Sequence, residues 1–451
     1  MSQDKKVINR ILFSRAQIVA FGFALVIFTG TVLLMLPISS KTGEVTNFLD
    51  SLFTSTSATC VTGLVVVDTF THWSLFGQIV ILCLIQIGGL GVVTITAMLY
   101  MFTRKRMSIN MRALIQENIF SSGMNGVVRM LRKIVVRVFI IEGVGAILLC
   151  IRFIPEMGIL KGTYYGIFHS ISAFCNAGFD IFGYKGEYSS LTSYMHDPLV
   201  LYTIMGLIVL GGLGFLVWDD IISKKFKFRK FALHTKIVLI STVVLIAGGT
   251  ALYMLFERNY TFAGMSPHDA LMSGLFASIS PRTAGMNSVD LAMMSQPSKM
   301  LTCFFMFIGG NSGSTAGGIK TTTLVIMTVY VFSHIFGISG VHIGKRRISE
   351  ENVNQASLVL WLNILLVSLA TLVISATQHV DIGNLMMEVF SAMGTVGLST
   401  GLTRELVPVS QAVIILLMFI GRIGTVTFAV SFKVRKKNPL ITYPVEHVNV
   451  G

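Results

Sequence analysis

Charged residues are scarce in this chain. Only 12% of its 451 residues are Asp, Glu, Lys or Arg, about half the roughly 25% of an average soluble domain. A large soluble protein cannot solvate its surface with so few. Disorder is excluded too, because disordered chains are poor in apolar residues and this one is 53% hydrophobic. Acid is scarcer than base: 21 Asp and Glu stand against 35 Lys and Arg, a net charge of +14. The five cysteines, Cys60, Cys83, Cys150, Cys175 and Cys303, lie in or beside apolar runs without a Cys-x-x-Cys pair. Neither a disulfide frame nor a zinc site is indicated.

What is abundant is long apolar sequence. A helix crossing a bilayer needs about 20 mainly apolar residues. Eight runs are read as spans: 18–36, 74–102, 134–154, 198–218, 237–256, 300–336, 358–376 and 407–432. The first is too long for a signal-peptide core and lacks a small-residue cleavage site, so it is read as a retained span. Arg137 and Glu142 fall inside the third, and Arg422 interrupts the last. Four shorter runs, 48–58, 164–174, 269–280 and 385–393, have about half the length of a crossing. Runs that short suit buried or re-entrant helices.

The cations sort by side. Twenty-five of the 35 fall at the N-terminus, in alternate connections, or after the last span. Positive charge collects in cytoplasmic loops, so both termini are expected in the cytoplasm of a multi-pass cell-membrane protein. The basic segments then read as topology signals rather than nucleic-acid patches. Lys320 and Arg422 remain, both inside apolar stretches, and are not explained by topology.

Spans and short runs alternate in a fixed order, with a glycine-bearing segment after each short run. These segments are Thr59-Cys60-Val61-Thr62-Gly63, Cys175-Asn176-Ala177-Gly178, Arg282-Thr283-Ala284-Gly285 and Gly394-Thr395-Val396-Gly397. Their last glycines are 115, 107 and 112 residues apart. The following span carries a second marker: Ile87-Gly88-Gly89-Leu90-Gly91, Leu210-Gly211-Gly212-Leu213-Gly214, Ile308-Gly309-Gly310 and Ile420-Gly421-Arg422-Ile423-Gly424. The steps from glycine to marker are 25, 33, 24 and 24; the long one reflects extra residues near 183–198. Each repeat holds two full spans, so all four point the same way. The expected fold is an all-α polytopic membrane protein. Four parallel span–pore-helix–filter–span repeats with eight transmembrane helices would surround a pseudo-fourfold central pore. The repeats divide as 1–102, 103–222, 223–347 and 348–437, with a tail at 438–451.

That arrangement suits a monovalent cation. Rings of backbone carbonyls replace an ion's water shell, and glycine tolerates the backbone angles that aim carbonyls inward. Irregular backbone at membrane depth is allowed where it lines a cavity or is buried in protein. Asp68, Asp180, Asp290 and Glu405 follow the four glycines, and a negative mouth concentrates cations. The third repeat also contains Gly309-Gly310-Asn311-Ser312-Gly313-Ser314-Thr315-Ala316-Gly317-Gly318-Ile319-Lys320, where helix propensity collapses. A phosphate loop needs lysine directly after its closing glycine; Ile319 follows instead, so nucleotide binding is rejected. A polar loop below the filter reads as a gate. Arg422 reads either as a cation beside the ion path that pairs with this loop, or as a structural donor to unwound carbonyls. The basic, mixed stretch 105–132 reads as a cytoplasmic surface anchor or docking face.

On these residues the chain resembles the Trk/Ktr/HKT superfamily of cation transporters, nearest the Ktr-type membrane subunits of bacteria, over nearly its whole length. The resemblance implies potassium selectivity, since glycine at the position of Gly63 goes with potassium and serine there with sodium. It implies K+ as the transported ion, with Na+ as a possible activator or coupled ion, and an intramembrane gate at residues 309–320. It also implies a homodimer of pores on a cytoplasmic ring of RCK-type nucleotide-binding regulatory subunits of KtrA or KtrC type. A secondary active transporter of another small cation or solute is the alternative; it would usually show inverted repeats and midplane acids, and Glu142 is the one deep carboxylate. A membrane enzyme would need clustered His, Asp or Glu at depth, and the nine histidines are scattered. His169 reads as a packing residue.

Overall fold

The computed structural model describes residues 14–91, 94, 95, 127–431 and 446. The basic residues Lys5, Lys6 and Arg10, most of the stretch 105–132, and all of the tail except Glu446 lie outside the described residues.

The chain is helical. Helix α1 (Arg15–Met35) starts on a capping box: Ser14 Oγ accepts from the Gln17 amide at 3.2 Å, and the Ser14 amide donates to Gln17 Oε1 at 2.8 Å. This satisfies two of the donors that a helix start leaves unpaired. Then come α2 (Phe48–Thr59), α3 (Leu75–Leu90), α4 (Val127–Met157), α5 (Ile159–Cys175), α6 (Pro198–Leu213), α7 (Phe215–Ser223) and α8 (Leu233–Phe256). The rest are α9 (Pro267–Ile279), α10 (Gln296–Phe307), α11 (Thr321–Ile335), α12 (Glu350–Thr377), α13 (Ile382–Gly394), α14 (Pro408–Ile423) and α15 (Thr425–Ser431). A two-residue antiparallel hairpin, His342–Ile343 with Arg346–Arg347, is the one sheet among the described residues, in a chain expected to be wholly helical. Gly344 at φ +61° makes its turn.

Among the described residues, four helices are long and apolar enough to cross a membrane: those around 16–35, 129–157, 233–256 and 350–377. The number is six if each of two bent pairs is counted as one span. Eight spans were expected. Two of the expected runs differ because α3 is described only to 16 residues, and because 300–336 is split by glycine into α10 and α11. The runs 198–218 and 407–432 read as spans, and in the structure each is a bent pair: α6 and α7 meet at 92°, and α14 and α15 at 99°. Gly214 (φ +97°) and Gly424 (φ +94°) sit at the two bends, in a region where an L side chain is strained.

The long helices leave apolar residues such as Leu25, Phe28 and Val32 of α1, and Trp361, Leu365 and Leu372 of α12, exposed along one face. A soluble protein would bury such rows; a lipid-facing helix does not need to. The buried core gathers instead around the short helices α2, α5, α9 and α13, whose Phe53, Phe168, Phe276 and Val389 are almost wholly enclosed. Asn47, Ser266 and Asp381 cap the amino ends of α2, α9 and α13 by accepting from an amide in the first turn.

Candidate functional site

The four short helices end on glycine-bearing segments that close into a ring. A Cβ placed on Gly63 would lie 2.5 Å from the Ala177 carbonyl oxygen and 2.9 Å from Gly178 Cα. One on Gly178 would meet the Ala284 oxygen at 3.0 Å, one on Gly285 the Val396 oxygen at 2.1 Å, and one on Gly397 the Thr62 oxygen at 2.2 Å. Each glycine therefore packs on the next segment, and the fourth returns to the first. All four have positive φ, from +71° to +100°. No other residue satisfies both the angle and the space.

Two residues before each ring glycine, the backbone is again left-handed, now at a residue with a side chain: Val61, Asn176, Thr283 and Thr395 (φ +57°, +58°, +78° and +50°). Such angles cost about 1–2 kcal/mol per residue and persist where surrounding structure fixes them. Serines do part of this. Ser57 Oγ accepts from the Gly63 amide and Ser391 Oγ from the Gly397 amide, both at 3.0 Å. Ser172 Oγ donates to the Phe179 carbonyl at 2.6 Å, and Ser280 Oγ to that of Met286. In three repeats the serine stands six residues before the ring glycine, a regularity present in the sequence.

Of the expected filter residues, Thr59, Thr62, Ala177, Ala284, Val396 and Gly394 sit in or against the ring, while the side chains of Cys60, Cys175 and Arg282 pack behind it. Cys60 joins an apolar cluster with Phe53, Leu64 and Met393. Cys175 Sγ lies 3.8 Å from Gln86 Oε1 and 3.9 Å from Glu142 Oε1. Arg282 donates from Nη2 to Thr321 Oγ1 at 3.4 Å. The hydroxyls of Thr59, Thr62 and Thr395 are buried with no hydrogen-bond partner among the described residues.

The marker glycines brace the ring from behind. A Cβ on Gly88 would lie 2.0 Å from the Thr59 carbonyl oxygen, on Gly211 2.0 Å from that of Phe174, and on Gly421 2.2 Å from that of Met393. Each carbonyl stands four residues before a ring glycine, at the end of a short helix. The third repeat departs: Gly309 faces its own loop, 2.4 Å from the Gly317 oxygen.

Residues 308–320 cross the site between α10 and α11. The loop is stitched to the second repeat: the Thr315 amide donates to Gly211 O at 3.3 Å, Thr315 Oγ1 to Phe174 O at 3.2 Å, and the Asn311 amide to Gly212 O at 3.2 Å. Its Gly317 leaves no room for a side chain, with Thr395 Oγ1 2.0 Å from the Cβ position; Gly310, Gly313 and Gly318 complete its glycines, and Ser314 Oγ donates to Asn311 O at 2.6 Å. Ser312 Oγ lies 3.5 Å from Thr322 Oγ1. Lys320 Nζ folds back onto the carbonyls of Ala316 (2.8 Å) and Gly317 (3.2 Å). Arg422 donates from Nη1 to the Thr315 carbonyl of the loop, and from Nη2 to the carbonyls of Gly88 and Gly89. The two roles considered for Arg422, loop pairing and carbonyl donation, meet in one guanidinium.

Cavities open at both ends of the ring segments. The smaller, about 140 Å³, is lined by the four ring glycines with Asp68, Asp180, Asp290 and Arg404. The larger, about 1370 Å³, is lined by loop residues such as Ser314 and Lys320, by Arg422, and by the bend glycines Gly91 and Gly424. Glu405, grouped by sequence with the three aspartates, turns to a different cleft beside Gln378 and Asp381. Burial, with the Asp68 carboxylate close by, pushes the Asp180 carboxyl up to about 7. Sequence reasoning missed Glu388 in α13, which is fully buried and accepts from Ser399 Oγ at 2.8 Å and from Thr403 Oγ1. His169 is a packing residue, with Nδ1 2.8 Å from the Tyr165 carbonyl and its ring stacked on Phe182 at 4.0 Å.

The family model of TrkH, described as a cation transport protein, matches residues 3–441. The chain is 39% identical to the potassium/sodium uptake protein NtpJ of Enterococcus hirae over the full length of both. It is 39% identical to the Ktr system potassium uptake protein B of Bacillus subtilis, covering 100% of this chain and 99% of that one. Against the protein of the same name from Vibrio alginolyticus it is 37% identical, with 96% and 94% covered. The crystal structure of the potassium transporter TrkH from Vibrio parahaemolyticus superposes with a TM-score of 0.74 at 17% identity, over 94% of this chain and 86% of that one; this likeness is one of fold. An apolar multi-pass helical chain matched over this length is a transporter and not an enzyme, and it belongs to the Trk/Ktr family of cation transport proteins.

Proposed function

We propose that the chain is the potassium-translocating subunit of a bacterial uptake system, with the glycine ring as its selectivity filter. The observation that carries this is the closed ring of Gly63, Gly178, Gly285 and Gly397, in which every quarter presents a carbonyl to its neighbour. Three buried hydroxyls without a partner among the described residues, those of Thr59, Thr62 and Thr395, add oxygen ligands of the kind a dehydrated cation takes. The printed names of the relatives, potassium uptake proteins of Ktr type and one potassium/sodium uptake protein, support the same ion.

In this reading the four sequence repeats surround one pore with eight crossings. Both termini are cytoplasmic, a reading supported by the basic connections, and the aspartate-lined cavity is then the outer mouth and the larger cavity is inner. The loop 308–320, latched by Arg422, is the gate; Na+ acts as an activator or coupled ion. Two such chains pair, and a nucleotide-binding ring of regulatory subunits meets their cytoplasmic face. Flux into liposomes tests the ion: K+ and Rb+ should pass well ahead of Na+, and equal rates would sink the filter. Deleting residues 314–317 tests the gate. Flux should rise several-fold with the ion preference unchanged, and an unaltered rate would remove the loop from gating.

A further inference from the structure

In the second repeat the marker glycine stands 33 residues after the ring glycine, where in the others it stands 24 or 25 after. The extra chain does not trail into solvent. It crosses the mouth and bonds to each of the other three repeats. The Tyr188 amide donates to Asp68 Oδ2 of the first at 3.0 Å. Ser190 Oγ accepts from the Asn287 amide of the third at 3.2 Å, and the Leu191 amide donates to Asn287 O at 3.0 Å. The Arg404 guanidinium of the fourth lies 4.1 Å from the centre of the Tyr188 ring. At its base Lys185 holds Glu156 at 2.7 Å and stands 3.9 Å over the Tyr194 ring.

The backbone is forced into this path: Tyr188 and Ser190 have φ of +58° and +48°. Left-handed angles at such residues persist only where contacts over-determine them. Tyr188 and Arg404 both line the mouth cavity, and Arg404 is the one cationic side chain among its lining residues. That cavity is about 140 Å³, against about 1370 Å³ at the other end. A cation at the door of a cation path is electrostatically adverse. Stacked on an aromatic face it is held there by cation–π attraction.

We propose that the extra loop of the second repeat is a strap across the outer mouth, and that its Tyr188, clamped by Arg404, determines which cations reach the ring and at what concentration. The Arg404 charge opposes the arrival of cations. The Tyr188 ring closes the mouth to large ones. The proposal rests on the ring being the potassium path.

The test uses the full chain in potassium-uptake-deficient cells supplied with a regulatory subunit, with protein amounts checked by immunoblot. Arg404→Gln should lower the KM for external K+ by roughly three- to tenfold at low ionic strength, the difference shrinking as N-methylglucamine chloride is added. Arg404→Lys keeps the charge and should behave as native. Tyr188→Ala should make uptake sensitive to external tetraethylammonium at concentrations that leave uptake by the native chain unchanged. An unchanged KM in Arg404→Gln, or an equal shift in Arg404→Lys, overturns the role of the charge. Resistance of Tyr188→Ala to tetraethylammonium overturns the cover. An altered preference for K+ over Na+ in either variant overturns the whole proposal, because it would place the pair in the filter. The two substitutions are read separately, so one that fails to accumulate leaves the other decisive. If the native chain itself restores no potassium uptake, it is the proposed function that fails.

Discussion

The third repeat and the other three solve one packing problem in two ways. In the first, second and fourth, a marker glycine lets the helix after the ring touch the carbonyl at the end of the helix before it: Gly88 on Thr59, Gly211 on Phe174, Gly421 on Met393. The helix then stops at a glycine three residues on, Gly91, Gly214 or Gly424, each with φ between +85° and +97°. In the third, the helix stops early at Phe307, and Gly309 packs on Gly317 of its own loop. The first, second and fourth quarters of the ring are thus braced by helix ends, while the third repeat contributes a loop that packs on Gly394 and Thr395 of the fourth and bonds to Phe174 of the second. Braced backbone is held by close-packed atoms that have nowhere to go. A loop held by hydrogen bonds has an alternative, because the same bonds can be made to water.

The largest effect should come from the ring itself. Gly285→Ala forces a left-handed alanine against the Val396 oxygen, a cost of about 2–5 kcal/mol from conformation and overpacking together. Potassium flux in liposomes should fall by about a hundredfold or lose its preference over Na+; a native profile would break the ring. Next comes the latch. Arg422→Gln removes charged bonds from Thr315 and Gly88 carbonyls, each worth about 1.5–3 kcal/mol. Flux should rise about tenfold, as measured by Rb+ uptake, and a fall would make Arg422 a brace of the fourth repeat and not a latch of the third. The marker glycines sharpen the contrast directly. Gly88→Ala or Gly211→Ala should lower thermal stability in detergent by about 1–3 kcal/mol, while Gly309→Ala should change flux more than stability. Equal destabilisation at all three would erase the distinction. The smallest effect concerns the mouth. With its carboxyl at about 7, Asp180 gains a proton as external pH falls from 8 to 6, and the mouth loses a negative charge. The KM for K+ should then rise two- to threefold, and Asp180→Asn should flatten that dependence.

Much of this was legible from glycine spacing and hydropathy. The ring glycines, their markers and the broken span of the third repeat were found by counting, because each needs a residue type that stands out in an apolar sequence. The left-handed residues at 61, 176, 283 and 395 were not, because Val, Asn and Thr carry no such signal and the angle is imposed by the serine tethers and the ring. The bends at Gly214 and Gly424 were hidden for a related reason: hydropathy records that a stretch is apolar and not that it turns through 92° or 99°. Arg404 escaped because a loop arginine reads as solvated until its partner ring is known. Glu405, its neighbour, was drawn to the mouth by an analogy of position that its side chain does not follow.

That all four quarters of the ring belong to one polypeptide has an evolutionary consequence. In an assembly of four identical subunits a change to one gene alters every quarter at once, so an insertion such as the loop 308–320 would appear four times around a space that holds one. Here a single quarter has acquired a loop, another a strap, and a third an arginine at its marker, each free to drift without copying itself onto the others. A single chain with four unlike quarters can therefore hold, in one closed circle, differences that four identical subunits could not.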